Sequence, residues 1–561
     1  MNFENVHLLF ERRVMMSIKV EWDEVVDVVV LGSGGAALTA ATLAHDNGAR
    51  VLVLEKSSEI GGTTAMSGGV PWIPLNHYME EAGIKDNRED ALKYIRRLSS
   101  GKEPDPYLIE IFLDEGKEMI KYLHDHTPVK FSIPKGYGDY YADLPGGLVE
   151  GRSLDPMPFE LNSLGELADK VRRNPIFPPL TLAEGGADKD SIDYAVMAER
   201  MEKNITTMGR ALIAALVKGL LDRGVEIRLE TPGVQLIQND AKEVIGVVAE
   251  QNGQKIRIGA KKGVIIATGG FEWNKELVKS FLPGEPTHHL SPPYNEGDGL
   301  IMAMEVGAQL ANMSDAWWYP ASQDPSIEYE GRVLNLINSP RGAAHSIIVN
   351  KNGKRFVNEG TTYKDMPRRF MEYDEVTQTY PNESPAWLIF DSNLKDNSLV
   401  VTVAPSDDAP DWMHPSNSIR ELAEKIGVDA ENLEETIKAF NKYAEKGEDP
   451  EFHRGTTYFE GMGRGGGSPE LNLGPIEKAP FYAIPIYFGT LGTAGGPKVD
   501  ENGQVIDVRG NKISGLYAAG NAAMAILGPC YPGAGATIGP AMTWGYLAGK
   551  AAATSEEKNI E

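Results

Sequence analysis

The sequence predicts an α/β fold that is built on a parallel sheet and divided into more than one domain. A β-branched run at residues 25–31 ends in a glycine-rich turn, and a helical pattern and a second strand follow it. Two further apolar runs, at residues 263–270 and 515–521, also end in glycine. The chain has 561 residues. Because single cores stop growing well below that length, two domains are expected.

Composition is that of an ordinary globular protein, with 42% hydrophobic and 24% charged residues. The net charge of −25 argues against a nucleic-acid partner, because phosphate backbones bind clustered cations. The single cysteine, Cys530, cannot form an internal disulfide, which favours the cytoplasm. Residues 1–22 are expected to be an N-terminal extension without the features of a signal peptide. No apolar run is long enough for a spanning helix, and peripheral contact with a membrane stays open.

The turn after the first strand has the pattern of a dinucleotide-binding fingerprint. Gly32 permits the tight turn, Gly34 lets the backbone approach a pyrophosphate, and Ala37 is small enough for helix and strand to pack closely. The pyrophosphate is expected at the N-terminus of the following helix, where unpaired N–H groups favour an anion. Glu55 ends the second strand, residues 50–54, and is positioned to accept a hydrogen bond from a ribose hydroxyl. The pattern therefore predicts a Rossmann-like domain.

A glycine- and hydroxyl-rich stretch at residues 56–69 indicates which dinucleotide binds. The stretch follows Glu55 directly and can wrap backbone donors along a pyrophosphate and the edge of an isoalloxazine ring. The glycine-ended strands at residues 263–270 and 515–521 support the same site. A flavin is therefore predicted.

With these motifs the chain resembles the flavoprotein family of fumarate reductases and 3-ketosteroid dehydrogenases, from about residue 23 to residue 552. The resemblance implies a Rossmann-like, glutathione-reductase-type FAD domain built from both chain ends, with an α+β catalytic domain inserted between them. The expected divisions are residues 23–285 and 480–561 for the FAD domain and 286–479 for the insertion. A helix is predicted to open at residues 297–299, and another is predicted over residues 432–446.

The resemblance also implies which residues contact the cofactor. Covalent attachment in this family uses a histidine within residues 61–69, and none is present, so FAD is expected to bind non-covalently. The residues predicted to bind FAD are Gly32, Gly34, Gly35, Ala36, Glu55, Lys56, Gly62, Thr63, Thr64, Ser67, Gly68, Gly69, Ala267, Thr268, Gly269, Asp298, Gly520, Asn521, Thr537 and Ile538. The glycine-rich residues 461–467 are interpreted as a loop, so no second dinucleotide site is expected. An external acceptor such as a quinone, another carrier or oxygen is then expected to take the electrons.

Residues 528–541 indicate the class of substrate. Fumarate reductases have a histidine and an arginine in this region, whereas this chain has tyrosine and small apolar residues, which suit a neutral ketone. The segment resembles the C-terminal signature of 3-ketosteroid Δ1-dehydrogenases, and so do residues 136–141, 345–359 and 489–496. The expected reaction is 1,2-desaturation of a 3-ketosteroid. The alternatives are 4,5-desaturation of a 5α-3-ketosteroid, dehydrogenation of another hydrophobic cyclic ketone, and reduction of an unsaturated acid.

The same resemblance assigns the catalytic roles. The hydroxyl of Tyr531 and the backbone N–H of Gly535 are expected to bind the ketone oxygen, and Tyr363 is expected to remove the α-proton. A phenol has an ordinary pKa of about 10, so the base needs a second donor to stabilise its anion. Tyr140 is the predicted donor, with Tyr137 and Tyr141 as alternatives. The helix that begins near residues 539–540 is expected to direct its dipole at the flavin.

Three other features of the sequence could have either a functional or a purely structural role. The pair Trp317 and Trp318 could line a steroid cavity or simply pack in the core. The histidines at positions 124, 126, 288 and 289 do not have the spacing of a metal site, and no metal is expected. Residues 160–200 form an insertion with prolines and mixed charge to which the sequence assigns no role.

Overall fold

The computed structural model describes residues 20–185, 192–337 and 340–560. Its first sheet has parallel central strands, with Glu24–Leu31 between Val51–Leu54 and Gln254–Ile266. The other strands of this sheet are Glu226–Arg228, Gly233–Gln238, Val244–Gln251, Gln504–Ile506 and Lys512–Ala518. The predicted strands at both chain ends therefore meet in one sheet, and the α/β fold is confirmed. The extension predicted at residues 1–22 lies outside the described residues up to residue 19.

Helices Gly35–Asp46 and Ile538–Thr554 pack against each other beside this sheet. Their approach is close because small residues face each other. A Cβ at Gly545 would lie 2.3 Å from the carbonyl oxygen of Ala36. Two helices from opposite ends of the sequence, Gly35–Asp46 and Ile538–Thr554, are therefore in contact. Both helix N-termini then line the same cavity.

A second, six-stranded sheet carries the other half of the core. Its strands are His288–His289, Ala316–Tyr329, Arg332–Ile337, Ser346–Val349, Ala386–Asp391 and Phe481–Thr493. The strand Phe481–Thr493 begins one residue after the expected domain boundary at residue 480 and pairs within this second sheet. This strand lies between Ala316–Tyr329 and Ala386–Asp391. Apolar runs with glycine near their ends occur in both sheets. The sequence pattern therefore could not show which strands pair with Phe481–Thr493.

The remaining elements connect and cover the two sheets. The helix predicted over residues 432–446 runs two residues earlier, at Ala430–Ala444, because the Asp429 side chain caps it by accepting from the backbone N–H of Asn432. The other α-helices are Gly62–Met66, His77–Glu81, Arg88–Ser99, Pro106–His126, Tyr194–Glu202, Met208–Asp222, Lys275–Phe281, Asp298–Glu305, Ser392–Lys395, Ile419–Ile426 and Pro469–Asn472. The 3₁₀ helices are Leu161–Lys170, Met366–Met371, Asp411–Met413, Tyr458–Gly461 and Gly520–Ala522, and short strand pairs complete the fold at Phe131–Ser132, Asp155–Pro156, Phe159–Glu160, Ile205–Thr206, Leu310–Ala311 and Gly496–Pro497.

The predicted loop at residues 461–467 consists of turns after Tyr458–Gly461. No helix among residues 20–185, 192–337 and 340–560 combines the length and apolarity that crossing a bilayer requires.

Candidate active site

One cavity of about 650 Å³ runs from the glycine-rich turn of the first sheet to the second sheet. All of the residues that the sequence predicts for FAD line it, and so do the four predicted catalytic residues Tyr140, Tyr363, Tyr531 and Gly535. The fold therefore brings segments from five separate parts of the chain to one site, namely residues 32–69, 140, 267–298, 363 and 520–538.

The glycine-rich turn forms the nucleotide end of the cavity. Gly32 has a φ of +101°, and a Cβ there would lie 2.4 Å from the carbonyl oxygen of Ala267, so only glycine fits. Gly34, the N-cap of the following helix, has no capping side chain. The N–H of Gly35 donates to the Thr64 hydroxyl at 3.2 Å, and the next N–H groups of the helix are left for an anion. Nearby, the buried hydroxyl of Thr268 has no hydrogen-bond partner among the described residues. This end of the cavity therefore fits a dinucleotide phosphate.

Glu55 is fixed at the end of its strand by two protein donors. Its carboxylate accepts hydrogen bonds from the Ser33 hydroxyl at 2.5 Å and from the backbone N–H of Ser57 at 2.8 Å. These contacts leave lone pairs on both oxygens for a ribose hydroxyl. Glu55 therefore lines the cavity at the end of its strand, and its contact with a ribose stays a prediction.

Lys56 and Asp298, both predicted to bind FAD, form an ion pair of 2.9 Å at this end of the cavity, and Lys56 also contacts Glu296. Burial opposes the lysine charge, but the hydrogen bonds to the two carboxylates outweigh burial and raise the pKa of Lys56. The lysine is therefore cationic and neutralised by its acidic neighbours.

Three tyrosines meet at the other end of the cavity. The Tyr140 hydroxyl donates to the Tyr363 hydroxyl at 2.9 Å. The rings of Tyr140 and Tyr363 are 5.4 Å apart, and so are those of Tyr363 and Tyr531. Of the three tyrosines considered as the donor, Tyr140 is the one that contacts Tyr363. Tyr141 bonds to Asp365 instead.

Burial raises the pKa of Tyr363 and of Tyr140 well above the ordinary phenol value of 10. Burial also raises the pKa of Tyr531, against hydrogen bonds with Tyr363 and Thr537. The phenols are therefore neutral at pH 7, and ionising one of them needs positive charge or hydrogen-bond donors close by.

Gly535 lies beside these phenols in a conformation that requires glycine. Its φ is +92°, and a Cβ would lie 2.0 Å from the carbonyl oxygen of Val70. Its carbonyl accepts from the N–H of Trp72 at 3.1 Å. Its own N–H has no acceptor among the described residues, so it is available to an oxygen in the cavity.

A buried ion-pair network holds the segment that carries Tyr140. Arg152 pairs with Asp86 and Asp139, each at 2.7 Å, and all three side chains are buried. Asp139 also accepts from the indole N–H of Trp72 at 2.7 Å. The backbone N–H of Tyr140 in turn donates to the carbonyl oxygen of Pro532 at 2.9 Å, which ties the tyrosine segment to residues 531–535.

Several cavity residues have no motif in the sequence that points to them. Tyr319 packs with its ring 4.9 Å from that of Tyr363, and Arg341 lines the same wall. Trp317 also lines the cavity, whereas Trp318 packs on Phe488 in the core. The alternation of the strand accounts for this difference, since neighbouring side chains point to opposite faces.

The insertion at residues 160–200 contributes a wall of the cavity. Ile176, Phe177 and Leu182 line it, and Leu182 packs in the same apolar cluster as the three tyrosines. The loop is held from behind, where Asp155 accepts from the N–H of Ala183 at 2.9 Å. A proline-rich loop with scattered apolar residues has no periodicity, so sequence reasoning missed it.

The histidines that were weighed as metal ligands have other contacts. His124 bonds to the Tyr78 hydroxyl at 2.6 Å, and His288 stacks on Tyr487 with ring centres 3.8 Å apart. Within the described part of the chain, no group of three or more His, Cys, Asp or Glu side chains could hold a metal ion.

Comparisons with known proteins show the family of the chain. Residues 27–538 match the family described as FAD binding domain. The 4-oxocyclohexanecarboxylate 2-dehydrogenase of Sinomonas cyclohexanicum is 39% identical over 93% of this chain and 92% of its own length. The 3-oxosteroid 1-dehydrogenase of Mycolicibacterium smegmatis is 36% identical over 93% of this chain and 96% of its own length.

A solved structure extends the likeness to three dimensions. The 3-ketosteroid Δ1-dehydrogenase of Sterolibacterium denitrificans, in complex with 1,4-androstadiene-3,17-dione, superposes with a TM-score of 0.86 at 32% identity. The match covers 94% of this chain and 99% of that one. The chain therefore belongs to the FAD-binding family that contains these enzymes, and it is an FAD oxidoreductase of the 3-ketosteroid Δ1-dehydrogenase type.

Proposed function

We propose that this protein catalyses the 1,2-desaturation of a 3-ketosteroid. The observation that carries the proposal is the hydrogen bond between Tyr140 and Tyr363, next to Tyr531 and a Gly535 N–H that has no acceptor among the described residues. A pair of donors for a ketone oxygen beside a phenol base is the set of groups that removing an α-proton requires.

Each residue has one role in this proposal. Tyr531 and the Gly535 N–H bind the carbonyl oxygen and stabilise the negative charge that develops on it. Tyr363 removes the proton from C2, and Tyr140 donates to the Tyr363 oxygen. FAD, bound non-covalently at the predicted residues, supplies the chemistry of hydride acceptance from C1. The buried walls exclude water, which strengthens these interactions.

The side chains that line the cavity beside the tyrosines favour a substrate with a large, neutral ring system. Leu182, Phe459, Met462 and Leu491 lie in the apolar cluster around Tyr363 and line the cavity. Burying a flat, apolar substrate against these side chains provides binding free energy in proportion to the area covered. We also propose that a quinone or another external carrier reoxidises the enzyme.

A second candidate substrate is a small cyclic keto acid. The relative from Sinomonas cyclohexanicum is named for 4-oxocyclohexanecarboxylate, and Arg341 is a cation at the tyrosine end of the cavity. The other described cations of the cavity, Lys56 and Arg172, have carboxylate partners. An arginine could bind the carboxylate of such a substrate.

Anaerobic bleaching of the flavin tests both candidates. The assay compares a saturated 3-ketosteroid, 4-oxocyclohexanecarboxylate and succinate. We expect the steroid to bleach the flavin fastest and to give the 1-ene, whereas formation of the 4-ene would contradict the regiochemistry. Tyr363→Phe should nearly abolish bleaching while the oxidised flavin spectrum stays intact. If that variant keeps most of the activity, the proposed base is wrong.

A further inference from the structure

Arg341 connects the loop that carries Tyr363 to the cavity. Its Nη1 donates to the carbonyl oxygens of Glu359 at 2.8 Å and of Thr361 at 2.5 Å. The Thr361 carbonyl is two residues before Tyr363. The same side chain lines the cavity on the side of the tyrosines. Arg341 is therefore bound to the backbone of this loop and lines the cavity that Tyr363 also lines.

The charge of Arg341 is not matched by an acid. Within the described residues it forms no ion pair with a carboxylate, and the groups that act on its charge are the phenols of Tyr319, Tyr140 and Tyr363. Burial lowers the pKa of this guanidinium, because dry surroundings disfavour a cation. A buried charge without a counter-ion lowers the stability of the fold. We therefore expect the charge of Arg341 to stabilise an anion that forms at the site.

The other polar groups around Tyr363 do not supply positive charge to its oxygen. On its own loop, Lys364 pairs with Asp315 at 3.0 Å and Asp365 accepts from Tyr141. On the other elements, the titratable groups that pack against Tyr363 or line its end of the cavity are Tyr140, Tyr137, Tyr319, Tyr531, Arg341 and Glu460. Glu460 accepts from the backbone N–H groups of residues 455–457. Arg341 is the cation of this set.

We propose that Arg341 is a positioning residue that holds the Tyr363 loop and supplies the positive charge that stabilises the Tyr363 phenolate. The inference rests on the proposed function, in which Tyr363 is the base. In the proton transfer, the phenolate oxygen takes the proton from C2 and becomes a phenol. The electron pair of the C2–H bond forms the C2–C3 double bond of the enolate, and the π pair of the carbonyl group moves onto its oxygen, which Tyr531 and Gly535 bind. A cation beside the phenolate favours the ionised form before the transfer.

The test is the pH dependence of kcat/KM with a neutral 3-ketosteroid. A nearby cation lowers the pKa of a phenol, so removing Arg341 raises the apparent pKa of the base and moves the rise in activity to higher pH. We expect Arg341→Met and Arg341→Gln to raise this pKa by about one unit or more, with a loss of about tenfold in kcat/KM at pH values below it. Glutamine keeps amide donors without the charge, so it tests the charge even if the methionine variant folds poorly.

Two further measurements separate charge from loop structure. Arg341→Lys keeps the charge and should keep the pH profile near that of the wild type. Added guanidinium should restore activity to the methionine variant at neutral pH. Arg332→Met is the matched control, since Arg332 is a partly buried arginine over the Trp273 ring and does not line the cavity. Its profile should be unchanged.

Three results would overturn the proposal. The first is an unshifted profile in both neutral variants. The second is an equal loss in the lysine, methionine and glutamine variants at every pH, which assigns Arg341 to structure alone. The third is a raised KM for 4-oxocyclohexanecarboxylate with an unchanged steroid profile, which assigns it to the substrate carboxylate. Tyr363→Phe runs in parallel. If it stays active, the proposed function fails, whereas an inactive Tyr363→Phe with an unshifted Arg341→Met profile refutes only the role of Arg341.

Discussion

Replacing Tyr140 with phenylalanine removes one hydroxyl and leaves the packing of the ring in place. The ring is buried and keeps its neighbours, with Phe459 at 4.7 Å and Tyr531 at 5.7 Å between ring centres. The lost group is the donor of the 2.9 Å hydrogen bond to Tyr363. The variant therefore tests what that single bond contributes to proton removal.

The expected loss of rate in Tyr140→Phe follows from the charge that Tyr363, the acceptor of this hydrogen bond, carries when it is ionised. A hydrogen bond to a charged group contributes about 1.5–3 kcal/mol, which is about 10- to 150-fold in rate. In the proposed role, Tyr140 donates to the ionised oxygen of Tyr363, so we expect its loss to raise the pKa of the base by about one to two units. The deficit in kcat/KM should then be largest at pH 7 and shrink as the pH approaches the raised pKa.

Stopped-flow bleaching of the flavin by a 3-ketosteroid between pH 6 and 10 measures this effect. Tyr141→Phe is the matched control, because the Tyr141 hydroxyl bonds to Asp365 and Thr362 rather than to Tyr363. Its profile should keep the wild-type pKa. A Tyr140→Phe enzyme with wild-type kcat/KM at pH 7 and an intact flavin spectrum would refute the reasoning.

Three other variants test the scaffold. Burial raises the pKa of Asp155 to about 6, so its ionisation lowers the unfolding free energy progressively between about pH 4 and that value, and the full cost is present at pH 7. Asp155→Asn should raise the unfolding free energy at pH 7 by about 1–2 kcal/mol and leave it unchanged near pH 4. Gly535→Ala should lower it by about 2 kcal/mol or more, because its Cβ would lie 2.0 Å from the Val70 carbonyl oxygen. Glu55→Gln should weaken FAD binding about tenfold by removing a charged acceptor for the ribose.

Thermal or denaturant unfolding at the two pH values checks the first two, and titration of the apoprotein with FAD checks the third. An Asp155→Asn gain that is equal at pH 4 and pH 7 would mean that the gain does not come from ionisation. A Gly535→Ala protein with wild-type stability would mean that the backbone near Val70 can move. An unchanged FAD affinity in Glu55→Gln would exclude a ribose contact.

Local patterns in the sequence were enough to predict the fold class and the nucleotide end of the cavity. The strand, the glycine turn and the helix at residues 25–46 lie next to one another along the chain, so residue type and spacing describe them directly. Gly32 illustrates the reason, because a left-handed backbone beside a neighbouring strand leaves room for no other residue. Tyr363, Tyr531 and Gly535 came from the resemblance of longer motifs, and their roles remain predictions.

Only the tertiary structure determined which groups meet. Tyr140 and Tyr363 are 223 positions apart. Tyr137 and Tyr141 stayed alternatives to the predicted donor Tyr140 until the fold brought Tyr140 to 2.9 Å from Tyr363. The strand Phe481–Thr493, the loop with Leu182 and the cation Arg341 likewise acquire their roles from distant partners. Pairing between strands and contacts across a cavity depend on how whole elements pack, and residue order alone does not encode that packing in a local pattern.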